Sequence, residues 1–164
     1  MTRVQRIPPT QDELDAMLRK HLSFEINRFR ATATLWDSRR YGELADAMVR
    51  ESCLIHMRLL LDFFYPRLDP KKSKHQDVFV SDYLPNPNSL SPEFQALLAE
   101  PSWLRDYRDQ LDWRLVHLTT RRIDFERQPM WNPNKQFAHL ESLIGEFLNA
   151  LPPITKALFD PNRQ

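Results

Sequence analysis

The chain has 164 residues, enough for one core and too few for two of ordinary size. Only Gly42 and Gly145 are glycines, which excludes Gly-rich phosphate loops, dinucleotide fingerprints and most tight hairpins. Charges nearly cancel, with 23 Lys plus Arg against 22 Asp plus Glu, so no global field draws the chain to nucleic acid or an acidic membrane surface.

In chain order, the capping-box pattern Thr10-Gln11-Asp12-Glu13 opens a proline-free stretch that predicts a first helix over 10–38. At 100° per residue, Leu14, Met17, Leu18, Leu22, Phe29, Leu35 and Trp36 share one side of it. A short polar turn through Gly42 leads to a second helix over 43–65, apolar almost all round and closed by Pro66, which is therefore expected to be central. Residues 66–90 carry four prolines and a lysine cluster and form the main irregular insertion. Its middle, residues 77–84, is too apolar to float free; it should lie across the helices, with a short edge strand as the alternative. Ser91-Pro92-Glu93 starts a short helix ending near Glu100. A third long helix is expected over 102–124, a loop over 129–135, and a fourth helix over 137–151, stopped by Pro152 and Pro153 before a last turn. The prediction is one all-α domain over 1–164, an antiparallel four-helix bundle with a long irregular insertion between helices two and three.

Several charges fall where apolar side chains belong. His21, Glu25 and Arg28 lie in the apolar stripe of the first helix, and Glu51, Arg58 and Asp62 cluster on the second among Met48, Leu54, Ile55, Leu59, Leu60, Leu61 and Phe63. Isolated buried charges cost several kcal/mol, so the two sets must meet. Antiparallel helices joined near residues 39 and 40 would pair Arg28 with Glu51, Glu25 with Arg58 and His21 with Asp62, a buried ionic ladder. Such a ladder either fixes register or lines a pocket in which His21 carries protons and Arg28 or Arg58 clamps an anion. His21, Glu25 and Asp62 could also chelate a cation, but the neighbouring arginines would repel it, so neither metal nor cofactor is expected.

On the third helix Arg114, His117 and Arg121 could form an anion-binding face or simply a solvated one. Trp103, Trp113 and Trp131 could stack nucleic-acid bases, although tryptophan more often anchors helices to one another, so nucleic acid is not indicated. Cys53, alone among apolar neighbours, supports neither a disulfide nor a reactive thiolate. The start MTRVQRIPPT has no apolar signal region, and LLLDFFY is broken by Asp62, so a cytoplasmic protein without a membrane partner is expected.

The spacing Arg50-Glu51-Ser52-Cys53-Leu54-Ile55-His56 is similar to the arginine–histidine signature of the HEPN superfamily of helical ribonucleases. That likeness implies RNA cleavage by Arg50 or Arg58 with His56 or His117. More broadly, ESCLIHMRLLLDFF, VFVSDYL and RLVHLTTRR resemble a family of uncharacterised bacterial all-helical proteins with an E-S-x-x-x-H-x-R-x-L-x-D-F pattern and a later H-L-T. The resemblance runs from His21 onward and implies a helical fold and a bacterial cytosolic setting, but no substrate. It singles out Glu51, His56, Arg58, Asp62 and His117. The sequence thus favours a binding or assembly protein without evident catalytic chemistry and leaves a homodimer open. The alternatives are a HEPN-like ribonuclease or toxin-related protein and a small-anion pocket.

Overall fold

A computed structural model describes residues 6–36, 38, 40–67, 77–84, 86–115 and 133–161, with 113–115 as backbone only. Thr10 caps the chain's first helix as its sequence demands: its Oγ1 accepts from the Glu13 amide at 3.3 Å, and its own amide donates to Glu13 Oε2 at 2.7 Å. Helix α1 (Gln11–Met17) runs through a π-helical turn (Leu18–Leu22) into α2 (Ser23–Thr34), so the first long helix is a single rod with one wide turn inside it. Leu14, Leu18, Leu22, Ile26 and Phe29 are its buried side chains. Ser23, fully buried, donates its hydroxyl to the Leu18 carbonyl across that turn at 2.8 Å.

Gly42 stands at φ +86°, a conformation glycine adopts without strain, and its carbonyl accepts from Asp46 to start α3 (Glu43–Phe64). Tyr65 leaves helical geometry because it precedes Pro66. The insertion forms α4 (Val80–Tyr83) and a 3₁₀ turn (Pro87–Ser89); no strand occurs among the described residues, so the edge-strand alternative does not hold. Asp82 accepts from the Phe79 amide and from the Arg6 guanidinium, and the Tyr83 hydroxyl donates to the Leu14 carbonyl at 2.8 Å. The segment is thereby laid across α1 at the entrance to the π turn, with Val80 and Tyr83 buried, as its apolar composition required.

Ser91 caps α5 (Pro92–Leu98) by accepting from the Phe94 amide, with Pro92 at the first helical position. Helix α6 covers Ser102–Leu115; the part of the expected third helix beyond residue 115 lies outside the described residues. Helix α7 (Asn134–Ala150) begins three residues earlier than its apolar pattern, and α8 (Pro153–Lys156) supplies the last turn. The core is one cluster, knotted by edge-to-face rings among Phe63, Phe64, Tyr83 and Phe147 at centroid distances of 5.0 to 6.0 Å. Arg30 of α2 meets Glu141 of α7 at 2.9 Å, and Phe29 and Trp36 both pack on Phe137. Because Phe147 joins α7 to both α3 and the insertion, Phe147→Ala should cost about 3–5 kcal/mol, read as a lower urea midpoint with an unchanged slope.

Candidate functional site

Where the π turn faces the C-terminal half of α3, a cleft of about 650 Å³ opens, closed on its far side by Asp77, Val78 and Phe79. His21, Glu25, Arg58 and Asp62 all line it, so four of the charged positions marked in the sequence converge on one cavity from two helices. The wide turn has a direct part in this. Its extra residue displaces His21 from the buried stripe defined by Leu18 and Leu22 and turns it to solvent. The apolar wall comprises Met17, Leu22, Leu59, Leu60, Phe63, Val78 and Phe79, and Asp112 and Arg67 stand at the rim.

The ionic ladder does not form as expected. Glu25 meets His56 instead of Arg58, Oε2 lying 2.6 Å from Nδ1, while the His56 ring packs edge-on against Phe24. Arg58 turns to α6 and gives its Nε–H to Asp112 at 2.6 Å; Arg67 binds the other Asp112 oxygen at 2.8 Å. Asp62 accepts from Arg108 of α6 at 2.6 Å rather than from His21. Arg28 is exposed over the Phe24 ring at 5.3 Å, and Glu51 is exposed on α3. Two physical reasons account for the difference. A uniform 100° count fails across a π turn, and a third helix offers partners that a pairwise reading of the first two could not contain. Met48, Ile55 and Leu59, placed in the interior by the apolar run, are instead among the exposed hydrophobics of α3.

The residue most consequential for this region escaped the sequence reading. Arg108 is only 4 % exposed and donates both to Asp62 and, at 2.7 Å, to Glu100. Its signal was present, since it sits four residues after Leu104 and three before Leu111, inside the apolar phase of its helix. His139 is a second omission. It stacks parallel to Tyr65 and meets Trp103 edge-to-face, with the Lys135 ammonium 4.0 Å from the centre of that same indole. The Tyr65 hydroxyl donates to the Leu97 carbonyl and lies 2.8 Å from His139 Nε2, which places the histidine proton on that nitrogen.

Burial, with Lys135 adding to it, holds the His139 imidazole below the usual histidine range. Burial also pushes the Cys53 thiol up to about 11, which keeps it an unreactive core residue. Arg50 gives its Nε–H to the Trp36 carbonyl at 3.4 Å while His56 is engaged by Glu25, so the two members of the HEPN-like spacing serve different partners. His117 and Arg121, the Arg114 side chain, the Trp113 side chain and Trp131 lie outside the described residues. No group of three or more His, Cys, Asp or Glu able to hold a metal ion occurs among the described residues, and none of the described helices is long and apolar enough to cross a membrane.

No protein-family model, curated protein or solved structure matches the chain. The site therefore has to be read from its own chemistry.

Two measurements check that chemistry. Because His139 stays neutral in the fold to a lower pH than in the unfolded chain, the unfolded state binds the extra proton first, and stability falls as pH drops below about 6.5. His139→Phe keeps the ring stack and removes this titration, so its melting temperature should fall less than the wild type's between about pH 7 and about pH 5. A double-mutant cycle on Glu25→Gln and His56→Phe should give a coupling of roughly 0.5–3 kcal/mol, whereas Glu25→Gln with Arg58→Met should be additive within about 0.5 kcal/mol.

Proposed function

We propose that the protein works by binding, and that the cleft beside the π turn receives a small amphipathic molecule. What carries the reading is one observation: an apolar wall and four sequence-marked polar residues, His21, Glu25, Arg58 and Asp62, meet around the same cavity. Size and lining suit an apolar body with one hydrogen-bonding head. A bare multivalent anion suits it poorly, because Glu25, Asp62, Asp77 and Asp112 outnumber Arg58 and Arg67 around the wall and Asp112 already holds both arginines. The small-anion reading of the sequence is thus narrowed to a ligand whose polar group meets His21 and the Nη groups of Arg58. His21 makes no hydrogen bond or ion pair with any described residue and is the free group at that end.

Around this site we read the long helices as an antiparallel four-helix bundle with residues 66–90 as its insertion. Contacts of α2 with α3 through Glu25 and His56, of α3 with α6 through Arg58 and Asp112, and of α2 with α7 through Arg30 and Glu141 support that arrangement. A bacterial cytosolic setting is proposed on the sequence resemblance alone.

The test is thermal stabilisation by six-carbon amphiphiles of one chain length and different heads (alcohol, carboxylate and ammonium), compared with inorganic phosphate. The amphiphiles should raise the melting temperature progressively, as the logarithm of ligand concentration once that exceeds Kd, phosphate should not, and Met17→Glu, which places a charge in the half-buried wall, should abolish the shift while the variant remains folded. No stabilisation by any amphiphile, or RNA degradation by the pure protein that disappears in His56→Ala, would overturn the reading.

A further inference from the structure

Helix α3 carries a feature of which the cleft uses only one residue, Leu59. Leu44, Met48, Ile55 and Leu59 are 78 %, 63 %, 43 % and 46 % exposed, and they fall within about 60° of arc along about 22 Å of one helix face. An amphipathic helix normally turns such residues to the core; α3 does this with Cys53, Leu54, Met57, Leu60 and Leu61, yet keeps a second apolar stripe outside. The spacing of that stripe is symmetric about its own midpoint. Leu44 and Leu59 are equally far from the point between Glu51 and Ser52, and so are Met48 and Ile55.

We infer that this face binds a second copy of the chain, the two α3 helices packing antiparallel about a two-fold axis near Glu51. Under that operation Leu44 of one copy meets Leu59 of the other, and Met48 meets Ile55, so every exposed apolar side chain of the stripe finds an apolar counterpart. A closed two-fold contact requires this self-complementarity. A partner of unrelated sequence would impose no palindromic spacing. Antiparallel α3 helices also set opposite dipole ends side by side. The four side chains offer on the order of 400 Å² of apolar surface per copy, against about 800 Å² in a standard interface, which places the dimer in the weak, concentration-dependent class. Glu51 meets its own copy across the axis, a like-charge contact that lowers affinity further.

Because Leu59 also lines the cleft, the same two-fold brings the partner's Leu44 to the cleft mouth. The dimer does not depend on the cleft's binding a ligand, and the two are read separately.

Sedimentation over a range of protein concentrations tests it. The chain should pass from monomer to dimer as concentration rises; Met48→Arg and Ile55→Arg, both at exposed positions, should each weaken dimerisation by about tenfold or more, and Glu51→Gln should strengthen it. Under oxidation Glu51→Cys should form a covalent dimer, being next to itself across the axis, while Leu44→Cys should not. A chain that stays monomeric throughout, a dimer insensitive to Met48→Arg and Ile55→Arg, or cross-linking through Leu44→Cys instead of Glu51→Cys would overturn the inference. Amphiphile stabilisation is measured on the Met48→Arg monomer, so failure of the dimer and failure of the cleft are told apart.

Discussion

A guanidinium with almost no contact with water organises one side of this molecule. Arg108 can be buried only because Asp62 and Glu100 together supply the charge and the hydrogen-bond acceptors that water would otherwise provide. That demand draws the C-terminal half of α3 against α6 and against the turn ahead of it. Arg58 and Asp112 repeat the contact one helical turn away, with Arg67 on the same carboxylate. These pairs give the interface direction: an apolar contact between two greasy helices tolerates rotation, whereas forked donors on carboxylates do not.

Fixing α3 in that rotation decides which of its faces remain open. Its C-terminal half sets Leu59, and beside it the α6-bound Arg58 and Asp62, along the space next to the first helix, where the π turn has carried His21 out of the buried stripe, and that space becomes the cleft. The third wall is held by a different set of bonds, Arg6 to Asp82 and Tyr83 to the Leu14 carbonyl, so the cavity is framed by two independent clamps. The same rotation leaves the second apolar stripe of α3, Leu44 to Leu59, uncovered along the helix.

The helical class of the described residues and the caps at Thr10 and Ser91 were legible from periodicity and local chemistry, because such signals act within a few residues of chain. So was the fact that charge sits in unusual places on the first two helices. The pairings were not legible. Glu25 meets His56, two residues from the expected Arg58, and Arg58 and Asp62 find α6. The same test that marked His21, Glu25 and Arg58 would have marked Arg108, whose place between Leu104 and Leu111 is equally anomalous.

By itself, then, the order of residues determined that helices form, where caps and prolines bound several of them, and that some of their charges require partners, since hydrogen bonding within a helix and the cost of a buried ion are local quantities. Which partner answers each charge was settled only when three helices and the insertion packed together. An ion pair depends on a few ångströms of separation between chain segments distant in sequence, and one wide turn in α1 to α2, adding a single residue to one turn of a long rod, is enough to exchange the side chains that face each other.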